Sequence, residues 1–310
     1  MLQNEIQDGD ETQVRSDAKR LIDYLAEHRH LVVAFSGGVD SSVVLSAASR
    51  CGSEKLIAVT AVSPSVAAWQ LKVAKEIARE LSVEHWVAET SELSRPEYQR
   101  NDSQRCFYCK ETLYSSIEEE IQRRISGTPS GEVPSAPSDS SRSEISYRIA
   151  SGTNRDDLGD HRPGIQAGKQ SGVLTPLADL GLGKDRVRAL AEYWQLPNHD
   201  LPASPCLASR IAYGVKVTPE RLMRIEEAEK WLHERGFREF RVRLHEGELA
   251  RIEVSGSQQR RLHDLNAEGR LTAHFRGLGF RFVTMDLQGF SSGSLNRTLV
   301  SLGENLANKE

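Results

Sequence analysis

The sequence contains no apolar stretch that approaches the length of a membrane-spanning helix and no run of five or more basic residues. A helix that crosses a bilayer needs about 20 apolar residues, so we expect no transmembrane segment. The formal net charge of −4 argues against a nucleic-acid partner, because such partners are bound through clustered Lys and Arg. The first residues, MLQNEIQDGDETQ, are polar and acidic and do not resemble a signal peptide. We therefore expect a cytoplasmic protein with a disordered tail at residues 1–14.

Cysteine is also scarce, since the chain has only four. Two of them, Cys106 and Cys109, form the segment CFYCK. Structural disulfides are rare in chains without an export signal, so this pair indicates metal, cluster or redox chemistry. Cys51 has no partner motif, and we interpret it as a packing residue.

The first two thirds of the chain alternate between strand-like and helix-like patterns. Short aliphatic runs at Leu31–Phe35 and Leu56–Val62 are typical of buried parallel strands, and a third strand is expected near His85–Ala88. Helical patterns separate them, so we predict an α/β domain with a doubly wound parallel sheet over residues 15–200. Residues 126–144 are rich in Ser, Pro and Gly, which predicts a flexible surface insertion.

The pattern changes after Pro205, and a second domain is expected over residues 201–310. Thr218 and Pro219 suit the N-cap and first position of a helix that continues to about Arg235. Two strands, a helix and another strand follow in the sequence pattern. We predict a smaller α+β domain that contributes substrate or oligomer contacts.

A glycine-rich loop, SGGVDSS, follows the first predicted strand. It lacks the lysine and spacing of the Walker loop and is not a G-x-G-x-x-G motif. Turn glycines and the start of a helix present backbone N–H groups to an anion, and Asp40 suits a Mg²⁺ contact. The loop resembles the SGGxDS pyrophosphate loop of the N-type ATP pyrophosphatases. The resemblance implies that β- and γ-phosphates bind at Ser36, Gly37, Gly38, Asp40, Ser41 and Ser42.

A second segment, SGTNRDD at Ser151–Asp157, resembles the SGTNxDD segment of one branch of these enzymes. The resemblance implies that Gly152, Thr153 and Asn154 line the nucleotide and that Asp157 is polar or linked to Mg²⁺. For Asp156, a turn that caps a helix is an equally good interpretation.

Several further strings extend the resemblance over roughly residues 15–300: SGTNRDDLGDHRPG, TPLADLGLGKDRVRALA, SPCLASRIAYG and RVRLHEGELARIEV. Together they are similar to the ATP-dependent sulfurtransferases called LarE, which act in nickel-pincer cofactor assembly for lactate racemase. This resemblance implies a pyridinium-3,5-biscarboxylate mononucleotide substrate. Its carboxylates are adenylated with ATP and Mg²⁺, and sulfur then replaces AMP. The resemblance also implies a homo-oligomer, specifically a hexamer.

Cys206 matches the family cysteine that gives up its own sulfur in single-cysteine members. The presence of Cys106 and Cys109 departs from that pattern and resembles members with a three-cysteine set, which are thought to hold a [4Fe–4S] cluster. Three thiolates on four irons leave one iron open for a transferable hydrosulfide. Zinc bound with His161 or His199 and an inert pair of thiols remain alternatives.

Cationic residues supply the expected substrate contacts. Arg241 and Arg243 alternate in a predicted strand and therefore share one face, which suits recognition of phosphate or carboxylate. Lys110 and Arg210 are further candidates, although a surface position explains Lys110 equally well. Glu253 lies in a predicted strand and is also a candidate substrate contact. A structural ion pair with Arg251 or Arg243 is the alternative.

Three other functions compete with this interpretation. A tRNA-thiolating enzyme with an Fe–S cluster would share the ATP chemistry but needs a nucleic-acid surface. Glutamine-dependent amide synthesis would give the cysteines no role, and no amidotransferase segment is recognised. A non-catalytic ATP-binding iron–sulfur sensor would release no pyrophosphate with any carboxylate.

Overall fold

The computed structural model describes residues 2–126, 146–159, 163–202, 204–291 and 293–296, with residues 2–10 described by their backbone alone. These residues form two compact units. The first contains the described residues within 2–63, 68–91 and 106–204. The second contains those within 64–67, 92–105 and 205–296. Two early segments thus belong to the second unit, although sequence analysis assigned them to the pyrophosphatase domain.

The first unit is built on a four-stranded parallel sheet, as the sequence predicts for an α/β fold. Its strands are β1 (His30–Ala34), β2 (Lys55–Val62), β3 (Glu84–Glu89) and β4 (Arg148–Ser151). Their order in the sheet is β3-β2-β1-β4, and every pairing is parallel. The central strand β1 is aliphatic and buried at its middle three positions, as a strand covered on both faces requires.

Helices connect and cover these strands. In chain order they are α1 (Leu2–Ala26), α2 (Val39–Ala48), α3 (Ala68–Glu80), α4 (Pro96–Gln99, in the second unit), α5 (Arg105–Ser126), α6 (Pro163–Gln170), α7 (Pro176–Asp179) and α8 (Lys184–Tyr193). Leu21, Leu31 and Leu190 are fully buried in one core cluster of this unit. Helix α5 carries the CFYC pair, which sequence analysis left without secondary structure.

The strand order has one functional consequence. β2 lies on one side of β1 and β4 on the other, so the chain changes direction across the sheet at β1. In open parallel sheets, the crevice at such a switch point lies beyond the carboxyl ends of the strands and is the usual ligand site. The loop after β1 and the loop after β4 both lie at this crevice.

The disordered tail predicted for residues 1–14 is wrong for Leu2–Val14, which is helical. Val14 is 8% exposed and packs into the core. Arg15 pairs with Glu11 one turn earlier, which also supports the helix. The polar composition concealed this continuation; among its described charged side chains, Glu11, Arg15 and Lys19 are exposed.

The second unit contains a three-stranded sheet with helices, in agreement with the predicted α+β class. Its strands are β5 (Phe240–His245), β6 (Leu249–Val254) and β7 (Phe282–Met285); β5 and β6 are antiparallel, whereas β6 and β7 are parallel. Its further helices are α9 (Pro219–Glu234), α10 (Gly256–Leu265) and α11 (Arg270–Gly277). The predicted N-cap is confirmed, since the Thr218 hydroxyl accepts a hydrogen bond from the Arg221 backbone N–H.

Two sequence predictions fall largely outside this description. The insertion predicted at 126–144 lies, beyond Ser126, outside the described residues, and so does His161. No helix in the described part of the chain is long and apolar enough to cross a membrane.

Candidate active site

The loop between β1 and α2 is folded by its own serines. The Ser41 hydroxyl donates to the Gly38 carbonyl oxygen at 3.0 Å and accepts from the Ser36 backbone N–H at 3.3 Å. The Ser36 hydroxyl lies 3.2 Å from that of Ser41 and accepts from the Gly38 N–H. Gly37 has φ +73°, and a Cβ there would lie 3.0 Å from the Ala74 backbone nitrogen. The glycine-rich loop is therefore required by both conformation and space.

Helix α2 starts at this loop with its N-terminus toward the crevice. The first N–H groups of a helix have no partner within it, and the helix dipole favours an anion at that end. Gly38 is the N-cap, and no side chain caps the helix. The start of α2 therefore offers backbone donors that suit a phosphate group, and the loop holds that helix start in place.

The loop after β4 approaches this helix start closely. A Cβ at Gly152 would lie 2.6 Å from the Ser41 backbone nitrogen and 2.9 Å from the Asp40 carbonyl carbon. A side chain at position 152 would separate the two loops. The two motifs recognised in the sequence therefore form one site in the first unit.

Asn198 was missed by sequence analysis and lies against the same loop. Its side chain is 1% exposed, and Nδ2 donates to the Gly37 carbonyl oxygen at 2.8 Å and to the Ser42 hydroxyl at 2.9 Å. Ser42 is also fully buried. The two bonds hold the turn before α2 to the residues after α8, so Asn198 shapes the glycine-rich loop. No local motif signals this role, because the contact spans 156 residues of sequence.

Asp40 is the acidic group at the start of α2. Burial, reinforced by the charge of Asp157, raises the pKa of the Asp40 carboxyl to about 6. Asn154, Lys184 and Arg188 oppose this rise. Asn154 Nδ2 is buried and faces the Asp40 carboxyl, whose pKa this interaction lowers, but the contact falls short of hydrogen-bond geometry. Two carboxylates with an unsatisfied buried donor fit a site that receives Mg²⁺ and a phosphate-bearing ligand.

Asp156 has a structural role. Its Oδ2 accepts a hydrogen bond from the Lys184 backbone N–H at 2.7 Å, so it caps the start of α8. Hydrogen bonds from the Lys184 backbone and from Arg155 lower the pKa of the Asp156 carboxyl. The Asn154 Oδ1 accepts from the Asp156 N–H in a local turn. Of the two interpretations of Asp156, the helix cap is the one observed.

Thr153 also contributes to the geometry of this loop. Its carbonyl oxygen accepts from the Ala178 N–H at 3.2 Å, and its hydroxyl lies 3.2 Å from that of Ser151. The bond from Ala178 ties the loop after β4 to α7, and the hydroxyl contact ties it to the end of β4. Contact between Thr153 and a nucleotide stays a prediction.

Cys106 lies in the first turn of α5 and Cys109 at the start of the second. Residues three apart on a helix are neighbours, with about 5–6 Å between their Cβ atoms, so the two thiols can reach a common metal. Cys106 is exposed and Cys109 is partly buried. Lys110 follows them; its Nζ lies 5.7 Å from the centre of the Tyr114 ring, and its substrate contact stays a prediction.

Cys206 belongs to the second unit, where it precedes a short 3₁₀ helix, Leu207–Arg210. Arg210 was predicted to contact substrate, but its guanidinium is engaged by the protein. Nη1 donates to the carbonyl oxygens of Pro205 and Cys206, the latter at 3.0 Å. Nε and Nη2 each donate to the Glu229 carboxylate at 3.2 Å. Arg210 therefore holds the backbone that carries Cys206.

Arg243 and Glu253 form a buried ion pair between β5 and β6. Arg243 Nε donates to Glu253 Oε2 at 3.0 Å, and Arg251 Nη2 donates to Oε1 at 2.9 Å. Glu253 is fully buried, and it also accepts from the Ser294 hydroxyl at 2.6 Å. The structural ion pair weighed for Glu253 is thus present. Substrate contacts by Arg243 and Glu253 stay predictions.

Arg241 lies on the same face of β5 as Arg243, near the guanidinium groups of Arg243 and Arg210. Burial, together with the charges of Arg210 and Arg243, lowers the pKa of the Arg241 guanidinium to about 10. Its Nη1 donates to the Phe240 carbonyl oxygen at 2.7 Å, and the guanidinium lies 5.2 Å from the centre of the Phe290 ring. An anion bound beside Arg241 would relieve the repulsion from Arg210 and Arg243, so this face suits a phosphate.

The described residues contain no group of three or more His, Cys, Asp or Glu side chains arranged to hold a metal ion. Cys106 and Cys109 belong to the first unit and Cys206 to the second. Their soft thiol donors and the one-turn spacing of two of them still fit an iron–sulfur cluster chemically. His199, named for the zinc alternative, has Nδ1 2.8 Å from the Leu196 carbonyl oxygen.

Comparisons with known proteins give several similarities. The asparagine synthase family model matches residues 23–100. An uncharacterized protein of Synechocystis sp. is 36% identical over 288 residues, which cover 92% of this chain and 99% of that one. Pyridinium-3,5-bisthiocarboxylic acid mononucleotide synthase of Lactiplantibacillus plantarum is 31% identical over 281 residues, covering 90% of this chain and 93% of that one. The solved structure of NMN synthetase from Francisella tularensis has a TM-score of 0.44 and 16% identity, covering 66% of this chain and 77% of that chain.

The contact between the two loops predicts the effect of Gly152→Ala. The added Cβ would meet the Ser41 backbone at 2.6 Å, so the loops must separate and the phosphate donors lose their alignment. We expect ATP-dependent pyrophosphate release to fall on the order of 100-fold, since displacements of about 1 Å have effects of this size. Gly159→Ala is the matched control, because a Cβ there meets nothing within 4 Å. Equal rates for both variants would contradict this account of the site.

The raised pKa of Asp40 predicts how stability depends on pH. The folded protein holds the Asp40 proton more tightly than the unfolded chain, whose carboxyl has a pKa near 3.8. Without Mg²⁺, stability from this group should therefore decrease as pH rises from about 4 to about 6 and stay lower above that. Asp40→Asn should remove the decrease, raise Tm at pH 7 and stop pyrophosphate release. The measurement is Tm as a function of pH for the wild type, for Asp40→Asn and for Asp23→Asn, a control at an exposed carboxylate. Identical pH profiles of Tm for the two variants would contradict a contribution from Asp40.

Proposed function

Because the chain belongs to the LarE family of ATP-dependent sulfurtransferases, we propose that it converts pyridinium-3,5-biscarboxylate mononucleotide to the bis(thiocarboxylate) in nickel-pincer cofactor assembly. The supporting relative is the L. plantarum synthase, which matches nearly the full length of both chains. The observation in the structure that carries the proposal is the contact of Gly152 with the start of α2. It brings together the two motifs that ATP activation requires.

The first step activates a carboxylate. A carboxylate oxygen of the substrate attacks the α-phosphorus of ATP, the bond to the β-phosphate bridging oxygen breaks, and pyrophosphate leaves. The product is an acyl-adenylate, whose AMP group leaves far more readily than oxide would. Splitting one difficult substitution into two easier ones is the general advantage of such activation.

Residues of the first unit would bind the departing pyrophosphate. The backbone N–H groups at the start of α2 would bind its oxygens. Those of Ser36 and Gly38 donate to serine hydroxyls that fold the loop, and Asn198 maintains the turn. Asp40 and Asp157 would hold Mg²⁺, which neutralises phosphate charge when bound. The buried Nδ2 of Asn154 would then gain an acceptor.

The second step forms the carbon–sulfur bond. A sulfur nucleophile attacks the acyl carbon, and AMP leaves with the former carboxylate oxygen. We propose that Cys106, Cys109 and Cys206 hold a [4Fe–4S] cluster, which would supply sulfide from an open iron when bound. The thiol chemistry and the family resemblance support this assignment. In this scheme Cys206 is retained rather than consumed.

The arginines of the second unit would bind the anionic substrate. Arg241 lies beside Arg210 and Arg243, so its guanidinium favours a nearby phosphate. Arg210 and Arg243 are held by Glu229 and Glu253. Because carboxylates and backbone carbonyl oxygens accept from their nitrogens, Arg210 and Arg243 would favour the substrate anion through their positive charge.

The product mass tests the proposed reaction. Protein purified without oxygen is supplied with Mg-ATP, sulfide and the pyridinium biscarboxylate mononucleotide, and the small-molecule product is weighed by mass spectrometry. We expect replacement of oxygen by sulfur in more than one equivalent per protein chain, with one AMP and one pyrophosphate per sulfur. A protein that holds its cluster but forms no thiocarboxylate would contradict the proposal and make tRNA the next substrate to test.

Loss of the thiols tests the cluster assignment separately. Cys106→Ala and Cys109→Ala should each remove the brown colour and the acid-labile sulfide of anaerobic preparations, because three thiolates are needed to hold the cluster. Cys51→Ala is the control, since the Cys51 thiol donates to the Ala48 carbonyl oxygen and has no proposed ligand role. Retention of iron and sulfide by both test variants would overturn the assignment.

A further inference from the structure

The backbone around Cys206 is held by arginine side chains at several of its carbonyl oxygens. Arg210 engages Pro205 and Cys206, and the Ser209 hydroxyl donates to the Cys206 carbonyl oxygen at 2.7 Å. Arg243 Nη1 donates to the Ser209 carbonyl oxygen at 3.2 Å. A segment of only a few residues therefore has its carbonyl groups directed by fixed cations.

One of these contacts comes from a distant part of the sequence. Arg105 Nη1 donates to the Ala208 carbonyl oxygen at 2.9 Å, and the same nitrogen donates to Asn101 Oδ1. Arg105 is 5% exposed, and its guanidinium lies 5.8 Å from the centre of the Tyr213 ring. Arg105 belongs to the same compact unit as Cys206, 101 residues later in the chain.

Asn101 extends the contact to the residues after the 3₁₀ helix. Its Nδ2 donates to the carbonyl oxygens of Ile211 at 3.3 Å, Ala212 at 2.8 Å and Val215 at 2.9 Å. The side chain is fully buried, and φ is +57°. Asn is one of the few residues other than Gly that adopts this left-handed conformation readily. The conformation directs the amide at the loop that follows Cys206.

A third contact fixes the amide side of the same segment. The Leu207 N–H donates to the Ser65 carbonyl oxygen at 2.8 Å, and the Ser65 hydroxyl lies 2.7 Å from that of Tyr98. Ser65 and Tyr98 come from the two early segments that belong to the second unit. The backbone on the C-terminal side of Cys206 is thus tied to both of these segments.

We propose that Asn101 and Arg105 are positioning residues for Cys206, holding its backbone in one orientation for the sulfur-transfer step. The inference rests on the proposed function, and no sequence motif assigns either residue. The sulfur that attacks the acyl carbon must lie within a narrow range of distance and angle, and Cys206, as a ligand of the proposed cluster, would help to fix where that sulfur lies. Reactive groups keep such geometry when buried hydrogen bonds lock the residues that carry them. Asn101 and Arg105 supply these bonds and need not touch the substrate.

The alternative is that Arg105 stabilises the second unit without affecting Cys206. The two roles predict different effects of Arg105→Ala on Tm and on the rates of the two reaction steps. A purely structural role would lower Tm and weaken all steps together. A positioning role leaves adenylation intact, because that step uses the loops of the first unit, and slows the step that uses Cys206.

The test compares Arg105→Ala with Arg100→Ala, a control in the same unit with a 62% exposed side chain. Amide hydrogen exchange is measured by mass spectrometry on peptides covering residues 204–212 and, as an internal reference, residues 30–48. Arg105→Ala should speed exchange in residues 204–212 on the order of tenfold, because the segment loses a buried hydrogen bond. Exchange in residues 30–48 should match the wild type in both variants.

Kinetics of the intact protein provide the second measurement. For Arg105→Ala, thiocarboxylate formation should fall on the order of 100-fold in kcat. The KM for ATP and the initial burst of pyrophosphate should stay at wild-type values. Free guanidinium should restore part of the lost rate to Arg105→Ala and leave Arg100→Ala unchanged. Asn101→Asp should reproduce the defect, since a carboxylate cannot donate to the three carbonyl oxygens.

The outcomes separate this inference from the proposed function. Unchanged exchange in residues 204–212, or a wild-type rate of thiocarboxylate formation, overturns the positioning role. An equal loss of pyrophosphate burst and product, with a lower Tm, also overturns it in favour of the structural role. If the wild-type chain forms no thiocarboxylate, the proposed function fails, and the exchange comparison alone decides whether Arg105 fixes the Cys206 segment.

Discussion

The close approach of Gly152 to the backbone of Ser41 is the contact on which the ATP site depends. It exists because β1 and β4 are neighbours in the sheet, so the loops after both strands leave the same edge. The backbone donors proposed to bind phosphate come from the start of α2, whereas the carboxylate of Asp157 and the buried amide of Asn154 come from the loop after β4. Only a residue without a side chain allows both sets to face one ligand.

This arrangement has a cost in stability that its function explains. Asp40 is buried near a second carboxylate, which raises its pKa, and Asn154 carries a buried donor without an acceptor. Both features are unfavourable in the ligand-free protein. Mg²⁺ and nucleotide would remove both. Groups that fit poorly without a ligand are expected where binding energy orders an active site.

Much of the architecture follows from local sequence pattern. The parallel strands, the loop serines and the Thr218 cap are predictable because each depends on residues close together in the chain. Asn198 and Asn101 were not found, because their partners lie more than 100 residues away and only the fold brings them together. Arg210 illustrates a different limit. The sequence predicts that Arg210 binds an anionic substrate. In the structure, its guanidinium donates to the Glu229 carboxylate and to backbone carbonyl oxygens. The helix at Leu2–Val14 was missed because polar composition resembles that of a disordered tail.

Carboxylate activation through ATP is the central claim, and an oxygen label tests it most directly. The pyridinium biscarboxylate mononucleotide is prepared with ¹⁸O in its carboxylates and incubated with Mg-ATP and sulfide, and the nucleotide products are analysed by mass spectrometry. The account predicts one ¹⁸O in each AMP and none in pyrophosphate, because the carboxylate oxygen that attacks the α-phosphorus leaves with AMP. Unlabelled AMP beside a thiolated product, or label in the inorganic products, would contradict it.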